Sequence, residues 1–306
     1  MIWPFHKRTR PDASADARTI DDPRFIAAVR EHFTSRGLAV DIHDGVADLP
    51  RAHDGKPCKY GLANLAQSCA GVPAETWPAA ITGHFTRSEV ADNDVRSFIP
   101  DSTNFAAVQP LLSLQLWPDD PTAVPLDRFV YRRDIPGLVT TLVYDLPSCT
   151  RSIPPEDAAC WSQPREELFP LAMENLDKKK SSLKTNGIRA EGIGELLVVD
   201  GPEFTTASYA LLIHRYKKRF FGPAGALLAL PTSRQLLCLP LDPAKNCNRL
   251  ALLLLSLAQK LHRDGPGSLT DQLYWHREGS FIAVPYNGAG VQAVLHPPAE
   301  LASVLS

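Results

Sequence analysis

The sequence predicts an α+β protein with a mixed, mostly antiparallel sheet, packed helices and an N-terminal helix–hairpin–helix module. Short apolar runs of strand length alternate with stretches whose apolar residues recur every three or four positions. Turn dipeptides such as Asp44-Gly45, Pro136-Gly137 and Asn287-Gly288 fall between the runs. The densest apolar segment, Gly194 to Leu241, reads as strand, helix, strand, turn, strand, and the remaining elements are expected to dock onto it.

The division follows from composition. Residues 1–20 hold Arg, Asp, Ala and Pro without periodicity and are expected to form a disordered tail. Residues 21–92 form the module. Asp22 caps a helix with Pro23 at its first position and Phe25, Ile26, Val29 and Phe33 on its apolar stripe. Gly37 stops it. Leu38 to Ile42 and Val46 to Leu49 flank His43-Asp44-Gly45 as a hairpin, and Leu62 to Cys69 reads as a short helix. A longer helix starts at Ala74 and runs through Ile81 and Phe85.

Residues 93–300 form the mixed α/β domain. Val95 to Ile99 is a strand candidate, and Pro and Asp clusters make 100–127 irregular. Phe129 to Arg132 and Leu138 to Tyr144 are strands, the second rich in β-branched residues, and Cys149 to Ile153 adds one more. Pro154-Pro155-Glu156 opens a short helix around Trp161. The next helix is acidic at its start and ends in Lys178, Lys179 and Lys180, which suits the helix dipole, but Pro170 lies inside it. Residues 177–193 read as a mobile basic loop.

Glu195 to Val199 is a strand ended by Asp200-Gly201-Pro202. Thr205 or Thr206 caps a helix whose apolar face is Ala207, Leu211, Leu212, Tyr216 and Phe220. Ala226 to Leu230 and Gln235 to Leu239 form a hairpin. Asn246 to His262 is a helix apolar on most sides, and Leu269 to Arg277, Ser280 to Pro285 and Val291 to Leu295 complete the strands. The ending HPPAELASVLS is a docked turn or a frayed tail.

The order of these segments resembles the YtpQ-like bacterial family, whose activity is not established. The similarity rests on Arg96-Ser97-Phe98-Ile99-Pro100, on Asp145, Trp161, Ala172, Asn175 and Leu176, and on Asp200-Gly201, Ala207-Ser208 and Leu211. It covers roughly residues 22–285. The chain departs at Ser208-Tyr209 and at Pro170. The resemblance implies a bacterial cytosolic α/β protein and supplies no catalytic residues.

A net charge of -2 over 306 residues provides no global field for nucleic acid or anionic membrane. The N-terminus lacks the apolar core of a signal peptide, and Leu250 to Ala258 is about half the ~20 residues needed to span a bilayer. With that, six cysteines without a CxxC pair are expected to be reduced thiols in a cytoplasm. No phosphate loop and no GxSxG elbow is present, and Gly222 to Ala226 runs from helix to strand, the wrong direction for a nucleotide cradle. His43-Asp44 and His53-Asp54 are better read as local turn contacts than as metal ligands. No metal and no cofactor is expected.

Two functions are weighed. The leading expectation is a non-enzymatic binding or scaffold protein. It would present Arg215, Tyr216, Lys217, Lys218 and Arg219, joined by Lys178 to Lys180 and Lys184, to a protein or acidic partner. The plainer reading of these cations is a dipole-compatible helix end and a solvated loop. The alternative is a hydrolase-like enzyme using Asp200, Glu203 and Ser208, at a strand end before a helix. Against it, Asp200 suffices to shape its Asp-Gly turn, Glu203 suits a helix start and Ser208 suits helix packing.

Overall fold

The computed structural model describes residues 19–50, 57–70, 72–121, 126–190, 194–201, 203–216, 220–245 and 247–306. It is an α+β protein, and every strand pairing is antiparallel among the described residues. Two compact units are present: Met1–Asn93 with Pro121–Ala123, and Asp94–Asp120 with Val124–Ser306. No described helix is long and apolar enough to cross a membrane.

In the first unit, helix α1 (Pro23–Thr34) is capped by Asp22, whose carboxylate accepts the Arg24 N–H at 2.8 Å. Strands β1 (Asp41–His43) and β2 (Val46–Leu49) turn at Asp44 and Gly45, both at positive φ, as a two-residue hairpin requires. The expected helix, hairpin and following helices are present, and a third strand, β3 (Cys58–Gly61), pairs with β2 and extends the hairpin to a three-stranded sheet. Helix α2 (Ala63–Ala70) follows, then α3 (Trp77–Phe98), whose residues from Asp94 onward are counted in the second unit. Phe25, Phe33, Trp77, Ile81 and Phe85 fill the core, with Phe33 and Phe85 4.5 Å apart. Of the expected tail, residues 1–18 lie outside the described residues; Thr19 and Ile20 are helical.

Of the strand expected at Val95 to Ile99, Val95 to Phe98 are instead the end of α3, and Ile99 follows it. Pro78 sits in the first turn, where its missing N–H costs no helical bond, and after Gly83 no Pro or Gly follows before Pro100, so the helix runs to that boundary rather than yielding to five β-compatible residues. The irregular region expected at 100–127 contains helix α4 (Phe105–Val108) and strand β4 (Leu112–Pro118). The flanking prolines lie outside β4 or at its end, where no ladder hydrogen bond is lost.

The second unit has two main sheets. In one, β6 (Leu138–Asp145), buried throughout, is flanked by β4 and β5 (Tyr131–Ile135), with β7 (Thr150–Ser152) also on β6. Helix α5 (Pro155–Ala159) precedes α6 (Arg165–Lys178), which accommodates Pro170 in its first half. The other sheet has the order β13-β12-β10-β11-β9-β8. Its strands are β8 (Lys184–Ala190), β9 (Gly194–Asp200), β10 (Ala226–Thr232), β11 (Gln235–Pro240), β12 (Leu273–Arg277) and β13 (Ser280–Val284). The basic loop expected over 177–193 is therefore largely strand. Pairing with β9 overrides its weak β propensity.

Between β9 and β10 the chain winds as a 3₁₀ helix, Thr206–Tyr216, not the expected amphipathic α-helix. Thr205 to Ile213 are buried without interruption. This helix, α6 and residues of both sheets, including Leu114, Leu142, Leu228 and Tyr274, share one core. A second core lies under helix α7 (Asn248–Asp264) and the docked C-terminal helix α8 (Ala299–Leu305). The strand expected at Val291 to Leu295 is a 3₁₀ turn followed by Val294–Leu295, which pairs with Tyr286–Asn287.

Candidate functional site

The C-terminal ends of α6 and the 3₁₀ helix come together. Tyr209 donates its hydroxyl to the Leu176 carbonyl at 2.7 Å, satisfying a C-terminal acceptor of α6. With three residues per turn, positions 209, 212 and 215 eclipse one another, so Arg215 lies on the same side as Tyr209 and the buried Leu212. Arg215 then reaches Asp177, Nη1 to Oδ2 at 3.4 Å. Lys180 contacts the other oxygen of Asp177 at 3.3 Å.

Basic residues from two distant segments thus meet on one carboxylate. Lys178 donates to Asn175 Oδ1 at 3.1 Å, and Asn175 is anchored by donating to the carbonyls of Gln109 and Leu112. Lys184 opens β8 a few residues further on. The negative end of the α6 dipole favours these cations. Of the sequence candidates, Arg215 is part of this surface. Tyr216 ends the 3₁₀ helix, and Lys217, Lys218 and Arg219 lie outside the described residues.

The acid–base candidates are distributed differently. Asp200 ends β9 directly opposite Gln235 and accepts the Gln235 amide at 3.0 Å. Ser208 is fully buried, and its hydroxyl has no partner among the described residues. A nucleophile there has no access to solvent. Glu203 shapes the turn, its carbonyl accepting the Thr206 hydroxyl at 2.8 Å.

The Glu203 side chain has neighbours that sequence reasoning missed. Burial pushes its carboxyl above the ordinary value, the nearby Asp145 charge adds to the rise, and Lys179 opposes it. Asp145 ends β6 and is buried, with Lys179 Nζ on its Oδ2 at 2.8 Å. The available signal was a carboxylate closing a β-branched, strand-length run; the lysine's place followed only from packing. This group sets a carboxyl of raised pKa, Glu203, beside an Asp–Lys ion pair.

Two further candidates have structural explanations. Gly222 packs so closely on the Leu241 backbone that a Cβ would strike its carbonyl, and Gly225 sits at φ +88° against the His276 carbonyl. Their glycines serve a tight turn, not a phosphate. His43 lies 3.9 Å from Asp44 in the exposed hairpin turn, while His53 and Asp54 lie outside the described residues. Among the described residues, no three His, Cys, Asp or Glu are grouped to hold a metal ion.

No family model, curated protein or solved structure matches the chain.

Proposed function

We propose that the chain is a non-enzymatic binding or scaffold protein of the bacterial cytoplasm that presents a basic surface to an acidic partner. The observation that carries this reading is the convergence of Arg215 and Lys180 on Asp177. One carboxylate faces two cations, and Lys178 and Lys184 add further positive charge nearby in the chain. The surface therefore keeps an excess of positive charge within a chain of net charge -2. Local charge of this kind steers an oppositely charged partner and contributes more to association rate and specificity than to raw affinity. The resemblance to the YtpQ-like family is kept as part of this proposal and adds no site.

Quantitative pull-down with wild type and with Lys180→Glu/Arg215→Glu tests it. The variant should lose the acidic partners that wild type retains at low salt. A second variant, Lys217→Glu/Lys218→Glu/Arg219→Glu, extends the test to the neighbouring cations. An unchanged partner set in both variants overturns the reading.

A hydrolase-like activity is the second reading, favoured by Glu203 beside Asp145 and Lys179. Carboxyl groups held in different environments are a recurrent source of acid–base chemistry. Turnover of a chromogenic ester that is lost in Glu203→Gln and kept in Ser208→Ala supports it. Turnover indifferent to Glu203 removes it.

A further inference from the structure

We propose that strand β8, the outer edge of the six-stranded sheet, takes up an extended acidic segment of a partner protein as a seventh strand. The proposal rests on the basic-surface reading and specifies how that surface holds its partner.

β8 is terminal in its sheet and pairs with β9 over its whole length, from Lys184 opposite Asp200 to Ala190 opposite Gly194, without a register shift. In an antiparallel strand, alternate residues turn their N–H and C=O groups to either side. One set binds β9. Among the described residues, no strand pairs with the other side of β8. The strand contains no proline, and Ile188 is 41% exposed. It is thus a long, regular edge able to supply backbone hydrogen bonds, the strand-addition mode of peptide recognition.

Charge selects the occupant. Exposed Lys184 and Arg189 lie near the two ends of β8, on opposite faces of the strand; Asp200, opposite Lys184 on β9, accepts the Gln235 amide, and among the described residues it forms no ion pair with Lys184. Arg189 is 86% exposed, and its contact with Glu195 is a loose 3.6 Å pair at the surface. Charged side chains are a common protection of edges against self-association. The same cations that oppose a second copy of this edge attract a strand bearing Asp or Glu. Lys184 also follows Lys180 closely in the chain, after the turn Lys180–Ser182, so the edge continues the basic surface. An acidic extended segment therefore matches both features: main-chain groups on β8 and cations beside it.

The test uses the full chain and three fluorescent peptides about as long as β8. The first carries glutamate on each face, at the positions that fall opposite Lys184 and Arg189, and valine elsewhere. The second has the same sequence with every backbone nitrogen methylated, which keeps its charge and removes its donors. The third replaces glutamate by lysine. The proposal expects the first to bind, the second to bind about tenfold or more weakly, as a few lost hydrogen bonds imply, and the third not to bind. Lys184→Glu/Arg189→Glu should weaken the first peptide, and added salt should do the same. Equal binding of the first and second peptides overturns strand addition while leaving the basic surface intact. A methylation effect that survives in Lys180→Glu/Arg215→Glu without loss of affinity overturns that surface's part in binding and keeps the edge. No binding by the first peptide overturns both. Concentration-dependent self-association abolished by Lys184→Glu/Arg189→Glu assigns the edge to a second copy instead.

Discussion

Lys179 places its ammonium 2.8 Å from the Asp145 carboxylate, joining the end of α6 to the end of β6. The two partners differ in environment. The Asp145 side chain is 4% exposed, whereas that of Lys179 is 42% exposed. Removing the lysine therefore strands a buried carboxylate, while removing the carboxylate frees a lysine that can reach water.

Lys179→Met is expected to destabilise the protein by about 1–3 kcal/mol, below the full cost of breaking a buried pair because one partner is partly solvated. Asp145→Asn should cost less, and the double variant little more than Asp145→Asn alone. Urea unfolding of the four proteins measures this coupling. Strict additivity of the two single changes would show that the pair contributes nothing.

Glu203 gives the protein a pH dependence of definite sign. Its folded-state pKa is raised above the ordinary 4.5, chiefly by burial and next by Asp145. In that window the folded state binds more protons than the unfolded state, so stability falls as pH rises. The contribution is fully present below 4.5 and is lost as pH passes through the folded-state value. Glu203→Gln cannot titrate and should lack this fall. Thermal unfolding of both proteins across that window decides it, and parallel pH profiles would sink the assignment.

Two glycine substitutions separate crowding from backbone strain. Gly222→Ala drives a methyl into the Leu241 backbone and should cost more than about 2 kcal/mol. Gly279→Ala meets nothing within 4 Å and bears only the strain of φ +83°, expected to cost about 1 kcal/mol. Chemical denaturation gives both values. Equal costs would mean that the Gly222 turn is free to move aside.

Ser208→Ala removes a buried hydroxyl that has no hydrogen-bond partner among the described residues. The folded state no longer carries that desolvation cost, so stability should stay within about 0.5 kcal/mol of wild type or increase. A loss of several kcal/mol would reveal an essential polar contact at this position.

Much of the architecture was legible in the chain. Asp22-Pro23 and Asp44-Gly45 specify a helix start and a hairpin turn by local backbone chemistry, and both form as read. The apolar segments around residues 200–240 form three adjacent strands, β9, β11 and β10, around a buried helix. β8 was less legible. Its Lys, Asn, Gly and Arg look like loop residues, and the strand exists because β9 provides a ladder for it. The helix type at Thr206–Tyr216 was also hidden. Apolar residues on every side satisfy both a 3.6-residue and a three-residue period.

The sequence by itself determined an antiparallel α+β fold, the places of its turns and a pair of basic segments at helix ends. These depend on short-range rules: residue periodicity, capping and the φ values that glycine tolerates. The tertiary structure decided that Arg215 and Lys180 share Asp177, that Lys179 reaches Asp145 beside Glu203, and that Ser208 is sealed in the core. Those relations join residues from separate elements. Their positions depend on which faces bury apolar area against each other, and no local pattern encodes that choice.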